Sequence, residues 1–342
     1  MINLFGQQYT LAELKEFTGA LDQIAGIRMG ELADGNERGV RTADFYTGSG
    51  FEFTVLPDRG LDIGVASYQG RPLAFKNAPG YVHPAYFEPE KLGWLRTFGG
   101  GLMTGCGLNW FGAPTVDNGQ ELGLHGRLSH TPARNVSVGS EWQGEQYVIW
   151  IEGTVREAAL FGPNLYLTRR ISTALGSNRL RIEDTVINDG FIPAEHMMLY
   201  HCNFGFPVVS PDTVLDMDAE TSPRDAIAET GFAHFRQFEA PTHGRPEEVF
   251  YHRVTPDEEG YGKASLINPK LGLGVYVRFR MAELPCLVEW KCMASGWYVC
   301  GLEPATAWVT GRDIARQDGL LRVLQPGERI SYAVEIGVIP TL

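Results

Sequence analysis

Two segments in the middle of the chain, NLYLTRRI (164–171) and RLRIEDTVIN (179–188), alternate apolar and polar residues with a period of two. Leu165, Leu167 and Ile171 stand against Tyr166, Thr168 and Arg170; Leu180, Ile182 and Val186 stand against Arg181, Glu183 and Thr185. A helix would scatter these residues around its axis, whereas an extended strand puts each set on one face. FEFTVL (51–56) gathers Phe51, Phe53 and Val55 in the same way, and LGVYVRFR (273–280) and SYAVEIGVI (331–339) repeat the pattern. Gly, Pro, Asn and Asp separate the runs, and 41 Gly and 20 Pro in 342 residues supply the tight turns that many short strands need. Strands with one apolar face belong to antiparallel sheets, and this many must pack face to face. The expectation is an all-β chain, a large antiparallel β-sandwich forming one domain over 1–342 without internal repeats.

One helix is expected beside it. In TLAELKEFTG, Thr10 and Glu13 have capping-box spacing, with Leu11, Leu14 and Phe17 at helical intervals, which predicts a helix over about 11–18 packed on the body and stopping near Gly19. The polar stretch 239–262 (EAPTHGRPEEVFYHRVTPDEEGYG) reads as long loops.

Charge and cysteine content narrow the partners. With 41 acidic and 29 basic residues the formal net charge is −12, which argues against nucleic acid and against an anionic membrane surface, and favours a small molecule. Five cysteines, Cys106, Cys202, Cys286, Cys292 and Cys300, form no C-x-x-C pair, and their odd number speaks for a reducing compartment. MINLFGQQYTLAEL lacks the basic and apolar regions of a secretory signal, and no apolar run approaches the roughly 20 residues of a membrane span. A soluble cytoplasmic protein, monomeric or homodimeric, is expected.

Several chemistries find no support. The glycine cluster FGGGLMTGCG (98–107) lacks the Lys-Ser/Thr of a phosphate-binding loop and reads as a turn beside a ligand pocket. His125 and His130 are five apart, as are His196 and His201, so neither pair can chelate from one strand face, and no metal or other cofactor is expected. There is no G-x-S-x-G nucleophile motif. What remains is polar residues set in apolar surroundings. MLYHCNFGFP (198–207) puts His201 and Asn203 on one strand face; a hydrogen-bonded core histidine would explain His201 as well as a functional one. GLHGRLSHTPA (123–133) sets His125 beside Gly126 and Arg127. Glu303 ends the run GWYVCGL before Pro304, where it is either a solvated strand end or a base lifted by partial burial. EWKC (289–292) turns Glu289 and Lys291 one way and Trp290 the other. LPDRGLDI (56–63) carries Asp58 and Arg59 in a turn.

In their order, PDRGLDI, HGRLSHTPA, YHCNFGFP and EPAT resemble the galactose mutarotase-like (aldose 1-epimerase) superfamily, specifically a divergent bacterial branch of unknown function. The resemblance runs from about residue 20 to the C-terminus and implies a β-sandwich that binds a monosaccharide. It implies that Glu303 takes the proton of the anomeric hydroxyl, that His201 protonates the ring oxygen, and that His125 assists near that oxygen. Ring opening, rotation and closure then interconvert anomers without metal or redox cofactor. A histidine suits the acid role because its ordinary pKa of about 6.5 lies near neutrality. Arg127, Asn203, Arg59, Asp58, Lys291 and Trp290 are the candidates for holding the sugar, the last by stacking. Two departures stand out. The superfamily carries an Asn-Arg pair before its His-Gly motif; here the neighbourhood reads CGLNWFG, with Arg127 or Arg59 available instead. An aspartate that orients sugar hydroxyls has three counterparts in range, Asp216, Asp218 and Asp257, with nothing to choose among them. A non-catalytic sugar-binding protein is the alternative function, and a glycosidic-bond-cleaving enzyme the third, since hydrolysis ordinarily needs two carboxylates and this set offers one.

Overall fold

The structure is a computed structural model that describes residues 1–340. After helix α1 (Leu11–Phe17) the regular structure is mainly strand, joined by loops and short helical turns. Strands β1 (Gly26–Glu31), β2 (Arg41–Tyr46), β3 (Phe51–Leu56), β4 (Asp62–Tyr68) and β5 (Arg71–Pro72) form a five-stranded meander. Next come β6 (Thr104–Leu108), β7 (Arg134–Gln143), β8 (Gln146–Ala158), β9 (Asn164–Ala174), β10 (Arg179–Asn188) and β11 (Ala194–Gly205). Then follow β12 (Val214–Asp216), β13 (Ala219–Pro223), β14 (Glu248–Val254), β15 (Tyr261–Asn268), β16 (Leu273–Arg280), β17 (Cys286–Ala294), β18 (Trp297–Ala305), β19 (Arg322–Leu324) and β20 (Arg329–Pro340). Two small hairpins, Ile2–Leu4 with Gln7–Tyr9 and Thr115–Asp117 with Gln120–Leu122, stand apart from the large sheets.

These make two large antiparallel sheets. One runs β7-β8-β9-β10-β20-β16-β15-β12 and the other β13-β14-β17-β18-β11, with β6 and β19 both paired to β11. The predicted alternation appears as burial: Leu165, Leu167, Ile171, Leu180, Ile182 and Val186 enter the main core with Val277, Ile336 and Val338. From the second sheet, Tyr200, Cys202, Phe204, Leu287, Cys300 and Leu302 meet them. The two sheets pack face to face as a β-sandwich.

The second sheet is covered on both faces, and that decides where the chemistry sits. Along β11 only Glu195 is not buried. Tyr200, Cys202 and Phe204 face the main core, so His201 and Asn203 face the other way, under a second apolar cluster that includes Trp94, Phe98, Cys106 and Leu199. Trp94 and Phe98 come from the segment Val82–Phe98, which crosses this face.

Two local expectations need correction. Helix α1 has the predicted capping box, with the Glu13 amide donating to Thr10 Oγ1 at 3.2 Å and the Thr10 amide donating to the Glu13 carboxylate at 2.7 Å. Its bounds agree with the expected span, but of its apolar stripe only Leu14 is buried; Phe17 is 74 % exposed, because the helix rests on one turn of that stripe. The stretch 239–262 is not all loop, since β14 runs through it. Its charges masked the strand: β14 alternates too, but its outward positions are Tyr251 and Arg253 and its inward ones include His252.

Candidate active site

Cross-strand register assembles the site. Across β11 and β18, Leu199 faces Ala305 and Asn203 faces Gly301, which places His201 level with Glu303. Glu303 in turn pairs with Val288, and Gly301 with Trp290, so His201, Glu303 and Trp290 share one face. The imidazole Nε2 of His201 lies 3.2 Å from Glu303 Oε1. Gly301 is needed there: a Cβ on it would sit 2.5 Å from that same carboxylate oxygen.

His125 approaches from a left-handed turn. Its φ is 58° and that of Gly126 is 77°, with the His125 amide donating to the Gly112 carbonyl at 3.1 Å. A non-glycine residue in this region costs on the order of 1 kcal/mol, and here the turn aims the imidazole edge-on at His201, 5.6 Å away between ring centroids. Aromatic rings close the surroundings. Trp94 lies 4.8 Å from the His125 ring, and Phe98 and Trp290 lie 5.4 and 5.3 Å from the His201 ring.

Water is nearly excluded, and the protonation equilibria follow. His201 is 5 % and Glu303 2 % exposed. Burial lowers the pKa of His201 to about 4, only partly offset by the Asn203 side chain. Burial pushes the Glu303 carboxyl well above its ordinary value; the nearby Glu247 charge adds to this and Arg224 opposes it. His125 is also held well below its ordinary value, by burial and then by His201. Both shifts act against charge, disfavouring the carboxylate and the imidazolium alike. Around it, buried polar atoms lack partners within the protein: His201 Nδ1, His125 Nδ1, Trp94 Nε1, Tyr251 Oη and Glu303 Oε1, the last in contact with His201 but misaligned for a hydrogen bond.

The other sequence-singled residues divide. Trp290 is on this face, its indole N–H donating to Glu247 at 2.8 Å. Asn203 lies beneath His201, its amide nitrogen donating to the carbonyls of Gly101 (3.0 Å) and His201 (2.8 Å). Arg59 is buried and donates to the carbonyls of Val82 at 2.6 Å and Thr97 at 3.1 Å, anchoring the covering segment from behind. Asp58 pairs with Arg41 at 2.6 Å, away from the site. Lys291 points to the opposite side of the sheet, 3.5 Å from Glu239, because it is one residue out of step with Trp290. Arg127 lines, with Asn109 and Glu157, a cavity of ≈ 780 Å³ whose lining includes neither His201 nor Glu303.

None of the three aspartates in range reaches this face through a contact. Asp257 pairs with Arg278 at 2.9 Å, and Asp216 and Asp218 are exposed at the β12 end of the first sheet. The carboxylate that does stand here is Glu247, just ahead of β14, bound to Trp290 and 3.3 Å from Arg224. Reading β14 as a strand would have exposed it, since Glu247, Val249, Tyr251 and Arg253 then share a face.

Comparison with known proteins agrees with this architecture. A family model described as a domain of unknown function (DUF4432) matches residues 37–338. The chain belongs to this family. Among solved structures it is similar to a candidate aldose 1-epimerase from Klebsiella pneumoniae subsp. pneumoniae MGH 78578, 27 % identical, with a TM-score of 0.87 over 92 % of this chain and 83 % of that one. It also resembles a galactose mutarotase-like protein from Clostridium acetobutylicum (12 % identity, TM-score 0.63, 93 % of this chain and 100 % of that one). A galactose 1-epimerase from Lactobacillus acidophilus NCFM aligns likewise (13 %, 0.61, 93 % and 100 %). No curated protein sequence matches. This DUF4432 chain thus has the fold of galactose mutarotase-like structures and is a divergent relative of them.

Proposed function

We propose that this DUF4432 protein is a cofactor-independent mutarotase that interconverts the anomers of a monosaccharide. The observation that carries the reading is the Glu303–His201 contact, ringed by buried polar atoms without protein partners. Orphaned donors and acceptors set among aromatic rings suit a ligand that is polar at its edges and apolar on its C–H faces, as a pyranose is.

The proton inventory fits the reaction. Anomer exchange needs a base at the anomeric hydroxyl and an acid at the ring oxygen. A carboxylate with an imidazolium holds the same number of protons as a carboxyl with a neutral imidazole, so relocating one proton between the two groups as the sugar binds converts one into the other. A sugar hydroxyl and ring oxygen stabilise the charged form by hydrogen bonding to it. Glu303 then removes the anomeric proton, His201 delivers its own to the ring oxygen, and the C1–O5 bond opens. Closure after rotation about C1–C2 runs the transfers backwards. His125 lies close enough to His201 to help hold the ring oxygen, and Trp290 offers an indole to the sugar's C–H face.

The test is to mix freshly dissolved single anomers of a panel of aldoses with the protein and follow anomeric NMR signals. Acceleration is expected for at least one sugar, and Glu303→Gln or His201→Asn should each reduce it by about a hundred- to ten-thousand-fold. Full activity in both variants would overturn the assignment. A sugar-dependent rise in melting temperature without exchange would identify a binding protein instead.

A further inference from the structure

Two strands from Glu303, on the same face, is a group that the ring-opening chemistry leaves unused. Tyr251 is level with Val288, the partner of Glu303, and Arg253 lies two residues farther along β14. The Tyr251 ring stacks on Trp308 at 4.6 Å and 22°, and the Arg253 guanidinium carbon is 5.9 Å from the centre of the same indole. The Tyr251 hydroxyl is buried and without a partner.

Arg253 is equally unengaged. Glu220 stands opposite it in the β13–β14 register, yet the guanidinium lies over Trp308, and no carboxylate among the described residues is at ion-pair distance from it. Its neighbour Arg224 is different, held by Asp225 at 2.8 Å and Glu247 at 3.3 Å. Solvation explains an exposed arginine by itself, but not an orphaned phenol packed beside it on one indole.

We propose that Arg253, Tyr251 and Trp308 form a subsite for an anionic group of the sugar, carried at the end remote from the anomeric carbon. A guanidinium fork pairs with an oxyanion, the phenol donates a hydrogen bond to it, and the indole fixes both in place. Two inter-strand steps of about 4.8 Å and two residues of about 3.4 Å put Arg253 roughly 12 Å from Glu303, Cα to Cα. With both side chains standing over the sheet, that span accommodates one pyranose ring and its terminal substituent. The substrate class is then an acidic aldose, bearing a carboxylate or a phosphate. This deepens the mutarotase reading and rests on it for the chemistry, though not for the binding.

Calorimetry and anomer-exchange NMR with D-glucose, D-glucuronate and D-glucose 6-phosphate test it. At low ionic strength, one of the two anions should bind about 10- to 100-fold more tightly than glucose, and which one it is separates carboxylate from phosphate. Arg253→Gln should bring that anion to the level of glucose, and Arg253→Lys should retain part of the preference. Glucose binding as well as both anions, or a preference that survives Arg253→Gln, would overturn the subsite. Arg253-dependent preference without accelerated exchange would uphold the subsite and reject the mutarotase; exchange without preference would do the reverse.

Discussion

His201 and Glu303 derive their properties from the same cause acting in opposite directions. Desolvation penalises charge, so it lowers the histidine to about 4 and lifts the glutamate well above its usual range. Below the acid value the pair gains a proton and loses its base; above the glutamate value it loses a proton and with it the acid. The pH dependence of kcat/KM should therefore be a bell with an acid limb near pH 4 and an alkaline limb displaced upward from the ordinary carboxylate range. Initial-rate NMR across pH 3 to 10 checks this. A limb at an unperturbed histidine pKa of about 6.5 would show that the imidazole is solvated in the working enzyme. Glu247 is the residue that sequence reading missed. It neighbours a strand whose apolar face is interrupted by histidine, and no local signal gives its distance to Trp290.

Among the elements, the covering segment Val82–Phe98 matters most. It has little regular structure, yet Trp94 and Phe98 exclude water from the imidazole. Its support comes from behind: Arg59 holds two of its carbonyls, and His130 accepts or donates at Thr97 Oγ1 (2.7 Å) while stacking on Phe87 at 4.1 Å. Arg59→Met strips the carbonyls of Val82 and Thr97 of their donor, at roughly 1–3 kcal/mol for each left unpaired. The expected outcome is lower stability in urea unfolding, together with an acid limb moved toward higher pH as water reaches His201. An unmoved limb would assign Arg59 to stability alone. The family resemblance made Arg59 a candidate for holding the sugar; in the structure it holds the carbonyls of the covering segment from behind.

At the scale of the molecule, the sandwich interior contains an ion pair that alternation assigns to apolar positions. Arg169 and Asp184, both fully buried, meet at 2.7 Å, with the Tyr200 hydroxyl donating to the same carboxylate at 2.7 Å and the guanidinium donating to the Gly60 carbonyl at 3.0 Å. This network ties β9 and β10 to β11, whose opposite face carries His201. Arg169→Met leaves the carboxylate without its cation and should cost about 3–5 kcal/mol, read as a shift in denaturant midpoint. Arg169→Met with Asp184→Leu should recover much of that loss, because two apolar groups carry no desolvation penalty.

Local and periodic features were legible in the chain alone. Alternation within strands predicted antiparallel sheets, the Thr10–Glu13 spacing predicted the helix cap, and the four ordered motifs identified the superfamily. Those signals survive because a strand's two faces and a helix's first turn are set by residues two to four apart. The tertiary structure alone decided which polar residues meet. His201 and Glu303 are about a hundred positions apart and touch because β11 and β18 pair in one register; Lys291 is excluded because that register turns it away. Contact between distant strands depends on pairing across the whole sheet, and no segment of the chain encodes that on its own.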